Sequence, residues 1–210
     1  MHLQVRCIPK ASPPDVEPPL RILKEAGLSL RGIGGSNVEF GGELALAPQH
    51  DDVQAVMGLR RGPGQDRYLG SMISHFEDAI SDAKACPRMW SVHDAAQDRL
   101  VGFVMISDGI PAETLAADDD IVGPYFLWRL LIDHRAQGRG LGAGTIDAIV
   151  GYLATRPGAD ALLTSCVRGD GSPLGFYLRY GFEEIGEKWG EALLRLDLRA
   201  GDAPANGGRA

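Results

Sequence analysis

Three glycines stand two residues apart in Gln137-Gly138-Arg139-Gly140-Leu141-Gly142. A run of strand length precedes them, Leu127-Trp128-Arg129-Leu130-Leu131-Ile132-Asp133, and a segment of helical period follows, with Ile146, Ile149, Val150 and Leu153. Strand, glycine turn and helix together suit an anion. The first amides of a helix have no intrahelical partner, and the helix dipole favours negative charge there. With no Cβ in the way, a ligand can approach such a backbone closely. The stretch therefore reads as a phosphate cradle. It lacks the Gly-Lys-Ser/Thr ending of a nucleotide P-loop, and neither the glycine spacing nor the acidic partner of the dinucleotide fingerprint fits.

The six residues match the signature Gln/Arg-x-x-Gly-x-Gly/Ala. Downstream, Phe176-Tyr177-Leu178-Arg179-Tyr180-Gly181-Phe182 reads as a short helix ending in Gly-Phe, with a tyrosine four residues before the glycine. Between them Ala161–Val167 reads as a buried strand, bounded by Pro157-Gly158 and Gly169-Asp170-Gly171. In this order the two motifs resemble the GCN5-related N-acetyltransferase (GNAT) family over about residues 51–198. The wording around Leu127–Gly142 and Gly171–Phe182 is most similar to acetyltransferases of the diamine and polyamine type.

The resemblance implies an α/β (α+β) fold: a mixed, mostly antiparallel twisted sheet with flanking helices. It implies acetyl-CoA as co-substrate, no metal, and transfer of the acetyl group to a primary amine of a small molecule, a diamine or polyamine among the candidates. The amides of Arg139, Gly140, Leu141 and Gly142 would hold the pyrophosphate, with Gln137 and Gly138 completing the turn. Leu130, Leu131 and Ile132 would run beside the pantetheine arm as a strand edge does. A freed amide near Leu130 or Leu131 would polarise the thioester oxygen. Tyr177 is the implied general acid, ahead of Tyr180, because a phenol titrating near pH 10 can hand its proton to a departing thiolate. An asparagine common in the family before this helix is absent. Ser172 stands near that place and is counted with the CoA-binding residues, expected to cap the helix with Pro173 at its first position. For the base, Glu77, Asp108, Glu113 and a water chain stand level. Two rival readings stay open: a non-catalytic acyl-CoA or amino-acid sensor, and an enzyme acting on protein or peptide amino groups.

Composition bounds these readings. A chain of 210 residues buries one good core. A formal charge of −7 argues against nucleic acid as partner and suits a cationic substrate, though it serves solubility equally well. Cys7, Cys86 and Cys166 are too scattered for a disulfide framework, and the five histidines show no metal-ligand spacing. No stretch is long and apolar enough to span a bilayer, and no signal peptide is visible, so a cytoplasmic protein with no membrane partner is expected. A homodimer is compatible with all of this.

The positioning elements follow from pattern. Residues 1–50 suggest an N-terminal βαββ appendage, ACT-like in element order alone, with a strand over Leu28–Ile33; Glu43–Ala47 fits either the appendage or the main sheet. Asp51 would cap a helix carrying Val53, Val56 and Met57. Leu69, Met72, Ile73, Phe76 and Ile80 predict an amphipathic helix to about Ala85, whose Glu77, Asp78 and Asp82 could meet a cation. Met89–His93 and Leu100–Ile106 read as a hairpin, with a bulge or close backbone approach at Gly102. A long acidic loop is expected over Ser107–Gly123, and strands over Glu183–Gly186 and Glu191–Leu198. Residues 199–210 read as a disordered tail.

Overall fold

β3, Arg99–Asp108, is apolar on both faces: Val101 and Phe103 to Ile106 are all at most 1% exposed. A strand of that kind needs cover on both sides. The computed structural model, which describes residues 28–32, 55–94, 97 and 99–198, provides it. Among the described residues, seven strands form one sheet in the order β1-β2-β3-β4-β5-β7-β6. They are β1 (Leu28–Gly32), β2 (Pro87–Asp94), β3, β4 (Tyr125–Ile132), β5 (Ala161–Cys166), β6 (Glu183–Lys188) and β7 (Glu191–Asp197). Every neighbouring pair is antiparallel except β4 with β5. The sheet is mixed and mostly antiparallel, with helices on its faces.

Helix α1, Met72–Ser81, covers one face and buries Met72, His75, Phe76 and Ala79. Val56, Met89, Phe103, Met105 and Leu131 complete that layer. On the other face, α3 (Leu141–Leu153) and α4 (Leu174–Tyr180) pack Ile146, Ile149, Leu153 and Tyr177 against Val104, Ile106, Leu127 and Leu162. The side chains of β3 divide between the two layers, Phe103 and Met105 in the α1 layer and Val104 and Ile106 in the other.

Some expectations shift in detail. Ser71 caps α1, accepting from the Ser74 N–H at 3.1 Å, so the helix starts after Leu69 and ends before Ala85. Ile73 is 54% exposed, because the buried stripe runs i, i+3, i+4, i+7 from Met72 and passes it by. The long loop is shorter than expected. β3 continues to Asp108, a short helix α2 occupies Ala112–Ala117, and the Gly109 N–H donates to Pro124 O at 2.9 Å. At Gly102 the close approach is real: an added Cβ would lie 2.5 Å from Leu131 O. A register shift at Val92/His93 sits opposite it.

The strand expected over Leu28–Ile33 is present as β1 and pairs with β2 at the edge of this same sheet. The other N-terminal elements, the ACT-like order, Glu43–Ala47, the Asp51 cap and the tail all lie outside the described residues.

Candidate active site

β4 stops at Asp133, whose carboxylate accepts from the Arg60 and Arg135 amides and pairs with the Arg135 guanidinium at 2.7 Å. Arg135 and the two amides hold this carboxyl well below the usual range, against the effect of burial. Gln137 secures the next turn. Its Nε2 donates to Ile132 O at 2.8 Å and to Gln65 Oε1 at 3.0 Å. Gly138 and Gly140 then take φ of 75° and 78°, conformations that favour glycine, and Gly140 is the N-cap of α3. The first α3 bond is Gly144 N–H to Gly140 O, at 3.0 Å. Among the described residues, the amides of Arg139, Gly140, Leu141 and Gly142 donate to no group of the protein. Nothing lies within 4 Å of where a Cβ would stand on Gly138 or Gly140. The turn thus leaves these N–H groups without protein partners at a helix N-terminus, with open space at Gly138 and Gly140, which suits a diphosphate. Neither arginine adds a spare charge: Arg135 is paired with Asp133, and Arg139 with Asp94 at 3.2 Å.

The second feature is where the sheet comes apart. β4 and β5 pair only at Phe126↔Leu163 and Leu127↔Thr164. From Trp128 to Ile132, no strand among the described residues occupies that edge of β4. An open edge can bond an extended ligand, although here Ile132 O already accepts from Gln137 and Leu131 O faces β3. Leu130, Leu131 and Ile132 lie on this stretch, half-buried or buried. The other edge of β4 stays paired with β3 through a bulge: Leu127 faces Ile106, Arg129 faces Met105, and Trp128 is the extra residue. The bulge breaks the alternation, so Trp128 and Arg129 both serve the α1 face while Leu127 and Leu130 serve the other.

Tyr177 stands on the α3/α4 face of this parting. Its hydroxyl lies near Thr164, whose own hydroxyl donates to Leu127 O at 3.0 Å. The phenol therefore sits beside the last paired residues of β4 and β5. Burial pushes its pKa above the ordinary value near 10, so the ring is protonated at neutral pH. Tyr180 points elsewhere and donates to Asp147 Oδ1 on α3 at 2.6 Å. Ser172 Oγ accepts from the Leu174 N–H at 3.2 Å and donates to Val167 O at 2.5 Å. Ser172 is therefore not the cap expected: Pro173 holds the N-cap of α4, one position later, and Ser172 braces the turn before it.

On the α1 face a cavity of about 390 Å³ opens at the same parting, lined by Phe126 and Trp128 of β4, Ser165 of β5, and Trp189 and Glu191 of the β6–β7 hairpin. Three carboxylates border it, Asp82, Asp120 and Glu191, against one guanidinium, Arg129. That guanidinium is already committed: Nε donates to His75 Nδ1 (3.0 Å), Nη1 to Trp128 O (2.8 Å) and Nη2 to Asp78 Oδ2 (2.8 Å). Aromatic walls with surplus negative charge suit an aliphatic ammonium. Asp82 and Asp120, from the helix and the acidic loop marked out in the sequence, reach the cavity, and Asp78 serves Arg129. Asp108 is clamped by Arg88, Arg156 and the Tyr152 hydroxyl, and neither Glu77 nor Glu113 lines the cavity.

Sequence reasoning missed Trp128, Ser165, Trp189, Glu191 and the His75–Arg129–Asp78 chain. One signal was available: an arginine inside an apolar strand is out of place unless something pairs it.

No family model matches the chain. It is 29% identical over 137 residues to the spermine/spermidine N(1)-acetyltransferase of Bacillus subtilis (strain 168), a match covering 65% of this chain and 85% of that protein. Its fold is similar to that of aminoglycoside acetyltransferase AAC(6')-Ib, solved with coenzyme A (TM-score 0.56, 14% identity, covering 81% of this chain and 94% of that one). It is also similar to a domain from Methanocaldococcus jannaschii (TM-score 0.54, 13% identity, 81% and 97%). The sequence match is to an acetyltransferase of the kind the two motifs resemble, and the structural likenesses show the fold.

Proposed function

We propose, for a chain that carries the GNAT acetyltransferase fold, that it transfers the acetyl group of acetyl-CoA to a primary amine of a small aliphatic molecule, a diamine or polyamine. One observation carries this reading. The gap between β4 and β5 has an amide cradle and a protonated phenol on one side, and an acidic aromatic cavity on the other. The similarity to a polyamine acetyltransferase supports the choice of acceptor.

The residues fit acetyl-CoA. Four undonated amides, Arg139 to Gly142, stand at the N-terminus of α3, and the open edge of β4 leads away from them. When bound, acetyl-CoA supplies an acetyl group activated as a thioester. The cradle amides hold its diphosphate, and Gln137 fixes the turn that aims them. The edge of β4 at Leu130, Leu131 and Ile132 pairs with the pantetheine arm, and an amide of that edge stabilises negative charge on the carbonyl oxygen. The amine comes from the α1 face. Asp82, Asp120 and Glu191 draw it in as an ammonium and are at hand to take the proton it must lose. Tyr177 gives its proton to the leaving thiolate.

Acceptor profiling tests the reading: acetyl-CoA with the purified chain against monoamines, diamines, polyamines, amino acids and peptides. Turnover confined to aliphatic amines is expected. Turnover only on peptides, or on none of these acceptors, would overturn it.

A further inference from the structure

The β6–β7 hairpin closes with a two-residue turn, Trp189-Gly190, between the paired residues Lys188 and Glu191. Both turn residues have positive φ, 55° and 75°. Such turns favour Asn-Gly, and a bulky aromatic ring rarely adopts the left-handed conformation. The turn therefore gains nothing from tryptophan, and a reason has to come from the ring. Trp189 lines the cavity with one edge against Phe126, the centroids 6.3 Å apart and the rings at 82°. Its indole N–H donates to Asp120 Oδ1 at 3.3 Å, tying the hairpin to the acidic loop. Next to it, Glu191 Oε2 accepts from Ser165 at 2.5 Å, and among the described residues Oε1 has no partner. The ring already accommodates a cation: Lys188 Nζ lies 5.4 Å from its centroid.

Resting on the acetyltransferase reading above, we propose that Trp189 is a specificity-determining residue. Its ring, between Asp120 and Glu191, receives the second ammonium of the acceptor and so selects diamines over monoamines of the same length. The reacting nitrogen is then left at the β4–β5 parting. The strained turn is what presents the ring to the cavity.

The test compares 1,4-diaminobutane with butylamine, by calorimetry on the CoA-loaded protein and by acetyl transfer. Trp189→Asn gives the turn its preferred residue and removes the ring, whereas Trp189→Phe keeps an aromatic face. With Trp189→Asn the preference for the diamine should fall roughly 3- to 5-fold, what one half-exposed cation–π contact is worth, while CoA affinity holds. Trp189→Phe should retain most of the preference. An unchanged preference in Trp189→Asn, with amines still acetylated, would overturn the proposal alone. Ring-dependent diamine binding with no acetyl transfer would support it and overturn the function instead. Equal wild-type affinity for the two amines would overturn it outright.

Discussion

Tyr177 is defined by its place: buried beside Thr164, whose hydroxyl bonds Leu127 O at the last paired step of β4 and β5. Tyr177→Phe keeps the ring and removes only the proton. We expect kcat to fall roughly 10²- to 10⁴-fold, with CoA affinity by calorimetry unchanged; an unaltered kcat would remove Tyr177 from the chemistry. His75 makes a different prediction. Burial, reinforced by Arg129, lowers its pKa to about 4 from 6.5, so the folded chain holds the ring neutral. Arg129 can only donate, so the ring proton sits on Nε2, which has no partner. Between pH 6.5 and 4 the unfolded chain takes up a proton that the folded ring resists. Stability should therefore fall as pH drops through that window, by roughly 1–3 kcal/mol. His75→Gln should lose that part of the pH dependence in urea unfolding at several pH values. An identical profile for the two proteins would show that the ring titrates freely.

At the scale of elements, β4 matters through its two different edges. The edge toward β3 runs past Gly102, where a Cβ would meet Leu131 O at 2.5 Å and Ile132 Cδ1 at 2.9 Å. Gly102→Ala should destabilise by roughly 1–3 kcal/mol in urea unfolding, because the nearer neighbour is backbone and cannot turn away. An unchanged midpoint would mean the strands separate cheaply there. β4, the glycine turn, α3 and the tyrosine helix were legible because each is written in contiguous residues: an apolar run, glycine spacing, helical period, an aromatic motif. The cavity was not. Its walls come from the end of α1, β4, β5, the loop before β4 and the β6–β7 hairpin, joined by strand pairing and by the Trp189–Asp120 bond. Trp189-Gly190 hides its turn because tryptophan stands where asparagine would signal one. Asp108 read as a free loop acid, yet arginines 20 and 48 residues away hold it.

On the scale of the whole molecule, the sheet works as a partition. Helices α3 and α4 with the cradle lie on one face and α1 with the acidic cavity on the other; β4 and β5 separate where the two sides need to meet. The partition has a function only if the cradle receives its diphosphate. Titration of acetyl-CoA into the purified chain by calorimetry measures this most directly. Saturable heat at one ligand per chain is expected, weakened by Gly140→Val, which puts a branched side chain at φ 78° in the cradle. A titration with no heat beyond dilution, from a chain shown to be folded, would contradict the acyl-CoA site and the chemistry that depends on it.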